Sequence, residues 1–149
     1  MRSLGLLLLR LIFGSLIALH GLPKLFGGEG KKVSAEVERV LGAAFNQSLE
    51  RGGLDKSKAM MERMELPMPD TMAALSAGTE FFGGLAVMLG WHTRLAALLL
   101  MGNMGVAIRK VHWEQGIMGE RGAEKPLLFL GAFLTLFIAG PGAISLDRG

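Results

Sequence analysis

The stretch LGLLLLRLIFGSLIALHGLPKLF, Leu4 to Phe26, decides the fold. Its apolar length matches the roughly 20 residues that a helix needs to cross about 30 Å of hydrocarbon. Its details argue against a cleaved leader. Arg10 interrupts the apolar region, no A-x-A-like site follows, and His20, Pro23 and Lys24 occupy the exit where small residues would stand. The reading is a retained transmembrane span over about residues 4–26.

Three runs of the same kind follow. The second, about 71–90, carries Glu80 and starts after Pro67-Met68-Pro69-Asp70, where Asp70 can cap and Pro69 cannot continue a preceding helix. Gly90-Trp91-His92-Thr93 makes so short a turn that the third run, about 94–112, must return antiparallel as a helical hairpin. The fourth, about 126–146, opens on Pro126, tolerated in a first turn, and closes on Gly140-Pro141-Gly142, which would break or unwind its last turn. The fold class expected is therefore an all-α membrane protein, a four-transmembrane-helix antiparallel bundle forming a single domain over 1–149.

Composition agrees. Of 149 residues 50% are hydrophobic and 19% charged, and a mean hydropathy of +0.41 is too apolar for an ordinary water-facing surface. The net charge of +3 does not point to nucleic acid, because Lys and Arg sit beside the apolar runs as interfacial anchors. Without cysteine there is no disulfide, thiolate metal site or thiol relay.

Residues 27–70, between the first two spans, form the one soluble-looking segment. Val33, Val37, Val40, Leu41, Ala44 and Phe45 fall at helical spacing and predict a short amphipathic helix on the membrane or capping the bundle. Asn46 to Gly53 reads as its end. A second short helix is predicted over Asp55 to Met64, with Met60, Met61 and Met64 either packing residues or a binding surface. Loops one and three hold most of the basic residues, against Arg2, Arg94 and Arg148 on the other side, which favours those loops inside and both termini outside.

Ionisable groups at membrane depth are expensive and usually face a bundle interior. At 1.5 Å per residue from the loop-one surface, Glu80, Asn103 and Thr135 each lie near ~13 Å, His20 near ~9 Å and Arg10 near ~24 Å. Arg10 is expected to pair with Asp147 or to reach inward to Glu80. Stripes of small and polar residues accompany these groups at 100° per residue: Arg10, Gly14, Ile17, Gly21 and Lys24; Ser76, Glu80 and Gly84; Ala96, Asn103 and Ala107; Gly131, Thr135 and Ala139. The four stripes are expected to face one another. Two readings stay open: Glu80, His20 and Asn103 are structural glue between helices, or Glu80, His20, Asn103, Thr135 and Arg10 line a small intramembrane ligand pocket. No metal site is expected, since His20 and Glu80 supply two ligands where catalytic zinc takes three. His20 and His112 differ too much in depth for a bis-histidine haem. His112 and Trp113 read as an interfacial pair.

The chain resembles the DoxX family of small four-span bacterial membrane proteins. The likeness rests on Arg10-Leu11 with Gly14, His20-Gly21 with Lys24-Leu25-Phe26, Glu80 with Gly83-Gly84, Gly90 with Thr93-Arg94 and Ala96-Ala97, and Gly140-Pro141-Gly142 with Ser145-Leu146-Asp147. Loop one departs from the family pattern in length and charge. The resemblance implies an inner-membrane location and an association with membrane oxidoreductase assemblies, including quinone-linked ones. Family motifs fall on Arg10, His20, Lys24, Glu80, Arg94 and Asp147.

With no nucleophile arrangement, phosphate loop or redox centre legible, no catalytic residue is assigned. The leading expectation is a non-catalytic membrane subunit that binds a small apolar molecule, quinone or lipid, or docks a membrane oxidoreductase partner. The alternatives are a quinone-linked oxidoreductase subunit with Glu80 and His20 as proton carriers, or a membrane-protein assembly factor. A transporter fits poorly, for want of an inverted repeat or paired broken helices.

Overall fold

The computed structural model describes residues 1–147, and every regular element among them is helical. Helix α1, Arg2–Phe26, runs unbroken through Pro23 in its last turn. After a loop segment with α2 (Ala35–Leu41), α3 (Ala43–Glu50) and α4 (Leu54–Arg63), α5 (Pro69–Gly78) passes through a π turn at Thr79–Gly83 into α6 (Gly84–Leu89). Helix α7, Thr93–Ala107, continues into a second π turn at Ile108–His112, and α8 spans Glu124–Ala139. Two helices, Arg2–Phe26 and Pro69–Leu89, are long and apolar enough to cross a membrane by length and composition. Helix α8 has 16 residues, fewer than the roughly 20 that span hydrocarbon untilted, and α7 has 15 before the π turn that prolongs it. Helix α8 stops at Gly140, which takes φ +77, and Pro141 cannot extend it; the chain from there to Asp147 is irregular.

The chain divides into two compact units, one of residues 1–18 and 82 onward, the other Leu19–Phe81. In the first, α6 packs on α7 and α7 on α8. One cluster joins them to the start of α1: Leu6, Ile17, Val87, Ala96, Ala97, Leu100, Met104, Phe133 and Leu136. Gly14 and Gly84 let two backbones meet, since a β-carbon on Gly14 would stand 2.8 Å from the Gly84 carbonyl oxygen. This is the small-residue contact by which helices pack where no hydrophobic drive exists between them. The outward faces are as apolar as the core: Leu8, Ile12, Leu95, Leu99, Leu128 and Ile138 are all exposed. A water-facing surface avoids so much contiguous apolar area.

The stripe expected on the fourth span is not an interior one. Gly131 and Thr135 are exposed, while Ala132, Phe133 and Leu136 are buried. Bulky Phe133 and Leu136 fill the space beside Leu100 and Val87, where small side chains would forfeit dispersion contacts.

In the second unit the single amphipathic helix expected from Val33 to Phe45 is two. Gly42, at φ +90, ends α2 and starts α3, a conformation that breaks helical continuity. Val37 and Val40 are exposed. Asn46, expected to end the helix, lies inside α3 and is buried. Its side-chain oxygen accepts from the Val33 amide at 2.8 Å and its amide donates to Glu38 at 2.6 Å, so it satisfies loop groups that would otherwise be costly to bury. The Pro23 carbonyl accepts from the amides of Gly27 and Gly53, both at 2.9 Å, tying the loop segment to the end of α1. Helix α4 packs against α5, and Lys58 pairs with Asp70 at 2.9 Å.

Candidate functional site

The π turn at Thr79–Gly83 carries Glu80, which is 4% exposed. A π turn inserts one extra residue into a helix and recurs at functional positions. Opposite it runs α1, and Gly21 makes the approach possible: a β-carbon there would sit 2.5 Å from the Phe81 amide nitrogen and 2.9 Å from Glu80 Cβ. One turn on, Lys24 brings its Nζ to 2.7 Å from each carboxylate oxygen of Glu80. Glu80 is nearly fully buried, whereas the Lys24 side chain keeps 31% of its exposure. The pair is thus open on the lysine side and closed on the carboxylate side. Phe26 and Phe81 stand edge to face beside it, with centroids 5.3 Å apart. Chemically, the arrangement offers an ammonium with a third N–H donor, held over a charge that neutralises it and flanked by aromatic surface.

Arg10 occupies a different setting, in the first unit. It is 2% exposed and donates to backbone carbonyls: Nε to Val87 at 3.1 Å, Nη1 to Pro141 at 2.7 Å and Ile144 at 2.8 Å, and Nη2 to Met88 at 3.4 Å. Val87 and Met88 lie in the last turn of α6, whose carbonyls carry the negative end of the helix dipole and of which Val87 also accepts from the Gly90 amide at 3.1 Å. A planar, five-donor cation meets that need and ties the irregular C-terminal segment to α6. Gly90, at φ +71, keeps the turn clear, since its β-carbon would be 2.8 Å from Arg10 Cζ.

Asp147 closes the same end. Its carboxylate accepts from the His92 amide at 2.6 Å and the Thr93 amide at 2.8 Å, capping the N-terminus of α7 from the far end of the chain. The Asp147 amide in turn donates to the Gly90 carbonyl at 2.8 Å. Partial burial works against the Asp147 carboxylate, but the hydrogen bonds from Thr93 and His92 outweigh it and hold the carboxyl below its ordinary 3.8.

Of the residues expected to line a site, the structure gives Glu80 the partner Lys24. His20 lies one turn before Lys24 on the same helix and is exposed. Asn103 is half-buried on α7, and Thr135 bonds the Gly131 carbonyl of its own helix at 2.9 Å from an exposed position. Arg10 donates its hydrogen bonds to carbonyls; of the two carboxylates expected as partners, Asp147 acts on it through its charge, and Glu80 pairs with Lys24. Two residues that the geometry brings forward, Lys24 and Asp147, were not among those expected to line the pocket. Lys24 belonged to the α1 stripe with Arg10, Gly14 and Gly21, and that spacing was the signal for it. The capping role of Asp147 left no local signal, because its partners lie more than fifty residues away in sequence. Among the described residues no three His, Asp or Glu side chains gather as a metal site.

The DoxX family profile matches residues 5–113. Inner membrane protein YphA of Escherichia coli is 34% identical over 102 residues, covering 64% of this chain and 73% of that protein. Inner membrane protein YqjF of the same organism is 36% identical over 98 residues, again covering 64% of this chain and 73% of the relative. No solved structure matches.

Proposed function

The chain belongs to the DoxX family and is an inner-membrane protein, and from that premise we propose that it is a four-span helical bundle whose Lys24–Glu80 pair binds the polar head of a small apolar molecule, a quinone or a lipid. It acts as a non-catalytic subunit, alone or docked on a membrane oxidoreductase. The single observation that carries this reading is the pair itself. A carboxylate 4% exposed sits on a π turn, held at 2.7 Å by a lysine that stays open on one side. Buried ion pairs are weak devices for stability alone, and polar groups converging within an apolar wall are what a small-ligand site needs. Helices α7 and α8, though short, carry exposed Leu95, Leu99, Leu128 and Ile138, which suits lipid contact and supports counting them as spans.

A second reading makes Glu80 and His20 proton carriers to a bound quinone; the observation favouring it is His20, exposed one turn before Lys24. Native mass spectrometry of the gently solubilised protein tests the first reading, beside Glu80→Gln and Lys24→Met forms. A small hydrophobic molecule is expected on the wild type and absent from both variants. If all three forms carry the same molecule, or none carries any, the pair is structural glue. Loss of linked oxidoreductase activity in His20→Ala with the ligand retained would favour the proton-carrier reading instead.

A further inference from the structure

Five of the ten methionines fall within thirteen residues at the α4–α5 turn: Met60, Met61, Met64, Met68 and Met72. Packing accounts for one of them, since Met61 is 6% exposed, whereas Met60 and Met68 are 39% and 64% exposed. Met64 and Met72 are half-buried. The hairpin of α4 and α5 sets these residues on either side of one short connection. Met64 donates to the Met60 carbonyl at 3.1 Å and Met72 to the Met68 carbonyl at 2.9 Å, so each pair is stacked one helical turn apart. Only Glu65, Leu66 and Pro67 separate Met64 from Met68, and the Leu66 amide folds back onto the Met61 carbonyl at 3.1 Å. The packing of α4 on α5 and the Lys58–Asp70 pair at 2.9 Å hold the hairpin closed.

The turn is also strained. Glu65 and Met68 take φ +54 and +47, two of the three non-glycine residues at positive φ among those described. Glycine or asparagine would normally occupy such positions. Backbone outliers of this kind cluster at ligand clamps and switch regions.

We propose that the α4–α5 turn is a binding site for a soft monovalent metal ion, copper(I), with the thioethers of Met64, Met68 and Met72 as ligands and Met60 or Met61 completing the set. Thioether sulfur is a soft donor that selects copper(I) over the hard ions preferred by carboxylates. It has no proton to lose, so binding does not compete with protonation as it does for cysteine or histidine. Glu65 on the turn and Glu62 at the end of α4 supply negative charge near a cation held by neutral ligands. By sequence alone Met60, Met61 and Met64 fit packing or a binding surface equally; the exposure of Met60 and Met68 and the turn that gathers the five favour binding.

The test is competition for copper(I) between the full-length protein in detergent and the chelator bicinchoninate, followed by X-ray absorption of the loaded protein. Wild type should retain one copper in a sulfur-only shell. Met68→Leu, a volume-conserving change, should weaken retention about tenfold or more, since even outer-shell partners of a metal act on that scale. Met72→Leu provides a second reading should the first variant fold poorly. Met101→Leu/Met118→Leu, remote in sequence, should bind as wild type does. Copper ligated through nitrogen, no retention by wild type, or an equal loss in the remote pair would each overturn the proposal.

Discussion

Gly21 lies so close to the π turn that a β-carbon on it would stand 2.5 Å from the amide nitrogen of Phe81. That approach sets the register of α1 against Glu80 and leaves Lys24, one turn later, opposite the carboxylate. Gly21→Ala should therefore destabilise the protein by about 1–3 kcal/mol as an overpacking change and part Lys24 from Glu80. Gly5, which has nothing within 4 Å of its would-be β-carbon, is the control. Gly5→Ala should be neutral or stabilise by about 0.5–1 kcal/mol through helix propensity. Reversible denaturant unfolding of both variants in mixed micelles decides between them, and equal effects would remove the close approach from the argument.

The Lys24–Glu80 pair should show coupling in a double-mutant cycle. Removing Lys24 alone leaves a carboxylate that is 4% exposed. Loss of one partner from a fully buried pair costs about 3–5 kcal/mol, and the 31% exposure of Lys24 lowers the expectation to roughly 1–3 kcal/mol through solvent screening. Lys24→Met combined with Glu80→Gln should recover part of that loss, giving a coupling of about 0.5–3 kcal/mol. Strict additivity would mean that the pair contributes nothing to the fold.

Arg10 should be irreplaceable by lysine. Its fork reaches carbonyls on Val87, Met88, Pro141 and Ile144, and an ammonium cannot span that set in one plane. With each charged hydrogen bond contributing about 1.5–3 kcal/mol, Arg10→Met should unfold the C-terminal end, and Arg10→Lys should rescue it only in part. Gly90→Ala, which would set a β-carbon 2.8 Å from Arg10 Cζ at φ +71, should mimic the loss with Arg10 still present. Hydrogen exchange at Leu146 and Asp147, whose amides bond Leu89 and Gly90, gives the local readout.

Acid should release the cap on α7. The folded-state carboxyl of Asp147 lies below its ordinary 3.8. A depressed folded value means that the stabilisation is fully present above 3.8 and is lost as pH falls through the lower, folded value. Asp147→Ala should cost about 0.5–2 kcal/mol near neutral pH, the usual range for an N-cap, and the gap to wild type should close in strong acid. A gap independent of pH would show that the carboxylate charge is irrelevant and that packing of the C-terminal segment accounts for the effect.

Much of the fold was legible because membrane helices announce themselves by length and apolarity. The Leu4–Phe26 run, the acid at position 80 and the tight turn at Gly90 each carry local signals that survive in isolation. What was not legible came from distance. Asp147 was expected as a partner for Arg10, and the backbone also returns it to the amides of His92 and Thr93, while Arg10 donates to two carbonyls at the end of α6 and two in the C-terminal segment. The break at Gly42 was missed because the valines on either side kept helical period, and periodicity does not report the φ of one glycine.

The sequence by itself determined that this chain is an all-helical DoxX protein of the membrane, with Glu80 and Arg10 as charges that had to be compensated. Hydrocarbon tolerates only backbone satisfied within the segment, so long apolar runs admit one structure. Tertiary structure decided which groups perform the compensation. Lys24 meets Glu80 because Gly21 lets α1 approach a widened turn, and Arg10 meets carbonyls because α8 stops at Gly140 and the chain turns back. Both outcomes depend on backbone approaches of a few ångströms, set by packing between segments far apart in the chain, and a linear pattern of residue types does not encode such distances one position at a time.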